Sequence, residues 1–501
     1  MIIRTLVAIG ATLIVAAATA QSDSLARVYA ATISAAELNV HLSVLASDAY
    51  QGRDTGKEGQ KMAAAYLKQH FQRMGIPSVP TPYAEQITEG YFQPYELVEE
   101  HVGGLSLASG SDVLELGKGL VYFNLAFTAG MEVRELVYVG NGAVPPAGLD
   151  LSGKVVLVNG ADLGSGQAAM GALRQRVEQV RKGKPRLILV STPNLSEYAA
   201  FMHGGTRMRL ADEEIKPNGA PTGQLVLVDE SAMNGMLGKS SMRKLRRKKP
   251  GHVVPVAMDV RVAPKEERVV AENVLAYIEG SDKKEEVIVI TAHYDHIGVE
   301  NGVVYNGADD DGSGTVALLE IAEAFAQAKA AGHGPRRSVL IMPVSGEEKG
   351  LLGSRYYSDH PVFPLASTVA NLNIDMIGRV DSAHATSKPY VYIIGSDRLS
   401  TDLHAVNETA NTDVGLVLDY AFNAEDDPNR FYYRSDHYNF ARKGVPCIFY
   451  FSGVHEDYHR PGDDIEKIRF DLLHQRTLLV FRTAWELANR ATRIVVDKPV
   501  K

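Results

Sequence analysis

The sequence predicts an α/β fold in which a mostly parallel mixed sheet is flanked by helices and interrupted by an inserted β-rich domain. Three observations carry this reading. Residues 265–495 alternate short apolar runs with stretches of helical period, the rhythm of strands and helices in turn. One run, Glu286 to Thr291, is apolar almost throughout, as a strand buried on both faces must be. From about Gly130 to Val262 the texture changes to short β-rich runs such as Glu135–Val139 and Lys154–Val158, separated by Gly- and Pro-rich turns.

The elements follow in order. Residues 36–76 read as two helices, with Leu38, Leu42, Leu45 and then Leu67, Phe71, Met74 at helical spacing and Gly75 at the end. The polar loop Asp48–Gly56 separates them. Beyond the insert, the strand 286–291 precedes a helix from Ser313 to Ala330, with Leu318, Leu319, Ala322 and Phe325 inward. A strand Ser338–Val344, a short helix from Gly350, a strand Val369–Met376 and a strand Tyr390–Ile394 come next. A helix near Asp402–Thr409, the strand Cys447–Phe451 and a closing helix from Asp471 to about Arg490 complete the series. The expected organisation is one discontinuous domain of residues 21–128 and 263–501, with 129–262 inserted.

Length and charge set the outer bounds. The 501 residues suggest two to three domains, and 45% hydrophobic with 22% charged content is ordinary for a chain with a sizeable core. A net charge of −8 gives no reason to expect a nucleic-acid partner. The basic run Arg243–Lys249 stands in an acidic chain without interleaved aromatics, and reads as a solvated helix face. Residues 1–20 pair Arg4 with an apolar run and an Ala18-Thr19-Ala20 cleavage site, the layout of a secretory signal peptide. The run is shorter than the about 20 residues of a membrane span, so export to the periplasm or the medium without stable membrane insertion is expected. Cys447 is the only cysteine, so no internal disulfide can form, and its apolar neighbours mark it as a small core residue.

The chemistry gathers at strand ends. The strand 286–291 runs out into His293-Tyr294-Asp295, the strand 338–344 into Glu347-Glu348, and the strand 369–376 delivers Asp375. The strand 447–451 leads to His455, Tyr458 and His459, and Asp309-Asp310-Asp311 precedes a helix. In open α/β sheets, sites form outside the carboxyl ends of strands. Asp311 and Ser313 have a capping use, but three adjacent aspartates repel one another unless a cation relieves them. Two histidines and three carboxylates exceed the needs of one catalytic zinc and suit two ions with a bridging carboxylate.

These motifs, His293-x-Asp295, Asp310-Asp311-Gly312-Ser313-Gly314, Glu347-Glu348-x-Gly-Leu-Leu-Gly-Ser, Asn373-Ile374-Asp375-Met376 and Tyr458-His459, resemble the ordered signature of the co-catalytic zinc aminopeptidases. That family includes bacterial leucyl aminopeptidases, aminopeptidase Y and glutamate carboxypeptidase II. Gly52-Arg53-x-Thr55-Gly56 fits its N-terminal segment, and the insert resembles a protease-associated domain. The resemblance implies a zinc exopeptidase-like fold and two Zn2+ per chain, held by His293 and Asp375 on one side and Glu348 and His459 on the other. Asp310 would bridge them, Asp295 would orient His293, Glu347 would be the general base and Tyr458 would stabilise the oxyanion. Peptide substrates follow, with aminopeptidase action expected. A carboxypeptidase or acidic dipeptidase would use the same metals, and a non-catalytic binding protein using the insert is the alternative from another class. Asp309 stands where the family often has Asn, which leaves spacing to Gly312 as the argument for Asp310 as the bridge.

Overall fold

The computed structural model describes residues 23–81, 83–123, 130–144, 148–164, 166–199, 207–213 and 223–500. The expected signal peptide, residues 1–20, lies outside them. Two units are present: Val98–Arg268, and the chain on either side, up to Leu97 and from Val269. The insert is therefore wider than the expected 129–262. Both borders fall inside continuous strands, Phe92–Ser109 and His252–Val274, where no turn marks a break in the sequence.

The outer unit is a seven-stranded mixed sheet. Its main helices and strands include α1 (Ala35–Leu45), α2 (Glu58–Arg73), β1 (Ala276–Ile278), β2 (Lys283–His293), α3 (Gly314–Ala330), β3 (Arg337–Val344), α4 (Leu352–Asp359) and β4 (Thr368–Ile374). After these come β5 (Tyr390–Ile394), α5 (Thr401–Asn411), β6 (Val417–Asp419), α6 (His437–Ala441), β7 (Cys447–Phe451) and α7 (Phe470–Asn489). The order across the sheet is β1-β3-β2-β4-β7-β5-β6. The four central strands are parallel. β1 and β5 run antiparallel to their inner neighbours, and β5 pairs with β6 in parallel. Parallel pairing aligns the carboxyl ends of β3, β2, β4 and β7: His293 lies opposite Val344, and Ile374 opposite Tyr450.

Period-two alternation builds the two faces of this sheet. Ile288 and Ile290 of β2 join one core with Leu318, Ile321 and Phe325 of α3, Leu38 and Leu42 of α1, and Phe481 and Trp485 of α7. Val287 and Val289 face the other, with Leu340, Met342, Tyr357, Phe363 and Phe440. Each fully buried Leu, Ile or Phe adds roughly 1.5–3 kcal/mol. The buried Arg476 of α7 donates to the carbonyls of Tyr390, Ile377 and Arg379, which ties β5 and the chain after β4 to the helix.

The inner unit carries a nine-stranded mixed sheet among its described residues. Its centre is parallel, Val155–Asn159 beside Leu187–Thr192 beside Gln224–Asp229, with the helix Gly166–Arg181 connecting the first two. This unit is thus less purely β than its turn-rich texture suggests. Among the described residues, no single helix is long and apolar enough to cross a membrane.

α1 is anchored to α3 by a buried acid. Ser34 caps α1 through its hydroxyl, which accepts from the Glu37 N–H, and its own N–H donates to Glu320 Oε2 at 2.8 Å. Glu320 is 2% exposed, its Oε1 has no hydrogen-bond partner, and burial raises its pKa from 4.5 to about 7. Between these values the folded chain holds a proton that the unfolded chain has lost. Stability therefore falls as pH rises from about 4.5 to 7, by on the order of 3 kcal/mol, and stays lowered above. Glu320→Gln is expected to raise the unfolding temperature at pH 8, with the gain shrinking at pH 5. Thermal unfolding followed by circular dichroism at both pH values checks this, and an equal gain at both contradicts the assignment.

Candidate metal centre

The site is assembled by segments that leave the carboxyl edge of the sheet. The Asp run sits just ahead of α3, with Gly307 in a left-handed conformation (φ 55°) and a cis peptide between Asp310 and Asp311. One oxygen of each outer aspartate is held by the backbone. Asp309 accepts from the Gly378 N–H at 2.6 Å, and Asp311 from the N–H groups of Gly314 (2.9 Å) and Met376 (3.0 Å). Asp463 accepts in turn from the N–H groups of Asp309 and Asp310, both at 3.0 Å. Asp310 is left with its carboxylate turned toward the histidines.

The two oxygens of Asp310 face two donor groups. Oδ1 lies 3.2 Å from His293 Nε2, which is itself 3.7 Å from Asp375 Oδ1. Oδ2 lies 3.2 Å from His459 Nε2, and that nitrogen is 3.2 Å from Glu348 Oε2. A tetrahedral zinc with bonds of about 2.0–2.1 Å places its ligand atoms about 3.3 Å apart. His293 Nε2, Asp310 Oδ2 and Glu348 Oε1 are buried without a hydrogen-bond partner of acceptable geometry, although each lies about 3 Å from an atom of opposite character, on Asp310, His459 and His296 respectively. Such atoms are arranged to share cations, and the donor set of imidazoles and carboxylates fits zinc.

The remaining predicted residues surround this pair of positions. Glu347 Oε2 is 4.0 Å from His293 Nε2. The Asp295 carboxylate is not the direct partner of His293: Nδ1 meets the Asp295 backbone carbonyl at 3.0 Å, while Asp295 Oδ1 is 3.8 Å away. The carboxylate instead accepts from the Thr55 hydroxyl (2.7 Å) and the Glu347 N–H (3.3 Å). Tyr458 stacks on the His459 ring at 3.9 Å, and its hydroxyl accepts from Arg434 at 3.3 Å. His455 pairs with Asp309 at 3.3 Å and takes no part in either donor group. Met376 and His459 have left-handed backbone, φ 58° and 55°, a strain that clusters at functional sites.

Charge sets the protonation behaviour. Burial disfavours the imidazolium of His293, but the carboxylates of Asp310 and Asp375 outweigh it and hold the pKa well above the usual value. At His459 burial is likewise overcome by Asp310 and Glu348, which push it up to about 10. The adjacent glutamates diverge. Burial and Asp310 act to raise Glu348, yet His296 and His459 bring it down to about 2. Glu347 is raised well above its usual value by burial, against the pull of His293, with Glu348, Asp375 and Asp436 adding to the rise.

Four contributors carry little local signal of their role. His296, three residues beyond His293, lies 2.9 Å from Glu348 Oε1 and 3.9 Å from Asp310 Oδ2; the His-Tyr-Asp-His spacing was its only clue. Ser435 donates to Asp375 Oδ2 at 2.6 Å and accepts from Asn373, which accepts from Thr291, so a polar chain crosses β2 and β4 behind the site. Asp463 fixes the Asp run. Arg53, 1% exposed, donates to the carbonyls of Tyr294, Leu45, Asn306 and Gly307, and so clamps α1, the turn after β2 and the approach to Asp310. Beside the carboxylates a pocket opens, lined by Met376, Phe431, Phe449, Phe451, Arg434 and Tyr458.

Fold and donor geometry define a metal-dependent hydrolase type of site. The comparisons are specific: residues 273–484 match the model of Peptidase family M28. A probable zinc metalloprotease of Pyrenophora tritici-repentis is 27% identical over 261 residues, 44% of this chain and 52% of the relative. Aminopeptidase YwaD of Bacillus subtilis is 28% identical over 216 residues, 42% of each. The chain thus spans about half the length of the curated relatives it matches. Among solved structures, the aminopeptidase from Aneurinibacillus sp. strain AM-1 superposes with a TM-score of 0.55 at 20% identity. That match covers 94% of this chain and 98% of the other, and shows a shared fold.

Removing the Arg53 clamp leaves four carbonyls short of a donor among buried acids. Arg53→Met is expected to cost on the order of 3 kcal/mol or more, with Arg53→Lys intermediate. Urea denaturation of the three proteins measures this, and an unchanged midpoint for Arg53→Met would falsify the clamp.

Proposed function

We propose that the chain is an exported aminopeptidase that removes N-terminal residues from peptides with two zinc ions. The observation that carries the reading is the division of Asp310, whose two oxygens face separate imidazole–carboxylate groups. His293, Asp310 and Asp375 would hold one ion, and Asp310, Glu348 and His459 the other. Bound zinc supplies Lewis acidity and a water of near-neutral pKa. The protein's own part is to place a base and a proton donor around the reacting carbonyl. Glu347, its carboxyl kept proton-avid by burial and by neighbouring acids, takes the proton from the attacking water and hands it to the leaving amine. The Tyr458 hydroxyl, aligned by Arg434, faces the pocket where an oxyanion would develop. Phe431, Phe449 and Phe451 offer an apolar wall for the residue being released.

Arg434 favours a second reading. A guanidinium lining the pocket suits a carboxylate, and so a carboxypeptidase or acidic dipeptidase working on the same metals. Arg379 does not compete for this role, because it is spent on Asp457, Glu456 and Asp463. The inner unit, read as a protease-associated domain, would serve substrate access or partner binding rather than chemistry.

Purified full-length chain is expected to contain about two zinc ions by elemental analysis, and chelation should abolish turnover. Peptides with a free amine should be cleaved and their N-acetylated forms spared. Turnover that ignores the block but requires a free carboxylate would transfer the assignment to the second reading. Glu347→Gln should keep its zinc and lose about 10²–10⁴-fold in kcat; full activity would remove Glu347 from the role of base.

A further inference from the structure

His296 belongs to neither of the proposed donor groups, yet it is the most confined imidazole near them. It is 0% exposed, and neither ring nitrogen has a hydrogen-bond partner. A buried imidazole is not by that fact a ligand. His437 is such a case: stacked on Phe449, it is driven by burial to a pKa of about 3. The surroundings of His296 are the opposite. Its Nδ1 is 2.9 Å from Glu348 Oε1 and 3.9 Å from Asp310 Oδ2, without the alignment of a hydrogen bond to either.

The ring is also held where it is. The His296 N–H donates to the Arg53 carbonyl at 3.3 Å, and residue 296 pairs with Asp54 in a β-bridge. On the other side lies Gly307, where an added Cβ would fall 2.4 Å from His296 Cγ. Glycine at 307 thus leaves room for the ring beside Asp310. His296, Asp310 and Glu348 each offer an atom within 4.8 Å of the others, the same closeness as His293, Asp310 and Asp375.

We propose that His296 is a metal ligand, a fourth protein donor at the position shared by Asp310, Glu348 and His459. This rests on the two-zinc reading above and adds an asymmetry to it. With His296 that position has two imidazoles and two carboxylates, a complete tetrahedral set of the kind that closes structural zinc sites. The other position has His293, Asp310 and Asp375 alone, and a three-donor set keeps a place open, as catalytic zinc requires. Glu347 stands beside this open position, 4.0 Å from His293 Nε2. The closed position is then the one that fills first and empties last, and the open one is where substrate meets metal.

The direct test is a crystal structure of the zinc-loaded full chain with anomalous data at the zinc edge. The expected result is a ring nitrogen of His296 at about 2.0–2.1 Å from the ion beside Glu348. A His296 nitrogen beyond about 3 Å from that ion, with both ions bound, overturns the proposal and leaves the two-zinc reading standing. Absence of any bound zinc overturns both. In solution, Asp375→Ala confines binding to the closed position, and zinc affinity is compared in Asp375→Ala and Asp375→Ala/His296→Ala by competition with a chromophoric chelator. Affinity should fall by more than the about 10–100-fold typical of losing a group that merely supports a ligand. Cobalt substitution supplies a second readout: loss of a nitrogen ligand shifts the visible absorption of the Asp375→Ala protein. An unchanged cobalt spectrum in the double variant counts against ligation, and a metal-free circular dichroism spectrum matching the parent's rules out misfolding as the cause.

Discussion

Buried negative charge is the constraint on which the rest of this structure depends. Asp295, Asp309, Asp311, Asp436 and Asp463 are each 0% exposed, with Asp310 at 3% and Asp375 at 7%. Seven carboxyls in one region are tolerable only if each is neutralised, paired or surrounded by donors. The protein uses all three routes. Backbone N–H groups answer Asp309, Asp311 and Asp463; His455 answers Asp309; and burial raises Asp436 to about 7 and Asp463 to about 6. Arg53 lends its charge to Asp295, Asp463, Asp310 and Asp311 while its N–H groups serve carbonyls. Asp310 and Asp375, with the neighbouring Glu348, are the groups that gather around His293, His296 and His459.

Sheet topology explains why the remainder gathers at one point. Parallel β2, β3, β4 and β7 end at the same edge, so four chain segments far apart in sequence arrive together. Close placement then depends on backbone that ordinary residues resist. Left-handed Met376 and His459 turn the chain immediately beside Asp375 and at a donor itself, and these turns are sustained by the surrounding hydrogen bonds. Rigidity of the sheet beneath makes that cost bearable, because β2 and β4 are joined by side chains as well as by their ladder, through Thr291 and Asn373.

Much of this was legible in residue order alone, for identifiable reasons. β5 and β7 have the predicted bounds, since each is a dense apolar run closed by glycine or serine. Ends of helices moved by a residue or two, as at Phe470–Asn489. The direction of β5 was not legible: strands buried on both faces look alike whether parallel or antiparallel, and Tyr390–Ile394 is antiparallel to β7. Non-local partners were equally hidden. Nothing near Asp375 announces Ser435 sixty positions later, and the motif that contains Arg53 does not reveal the four carbonyls it serves. Resemblance and spacing single out Asp310 among the three aspartates, but the backbone N–H groups that meet Asp309 and Asp311 are a property of the folded chain.

Glu347 and Glu348 carry the argument about function furthest, because they share a sequence and not an environment. One peptide unit apart, they leave the end of β3 in different directions: Glu348 toward His296 and His459, Glu347 toward Asp375 and Asp436. The first is drawn down to about 2, so it is an anion at any physiological pH and suited to hold a cation. The second is pushed well above its usual range and so is able to take up a proton and release it again. Two like groups are driven apart by their surroundings, the condition under which paired carboxyls divide their tasks. Neither glutamate alone would reveal this, since a single raised carboxyl is an ordinary result of burial. The divergence within one dipeptide ties the raised carboxyl to the lowered one, because any shift of the β3 end that moved one would move the other.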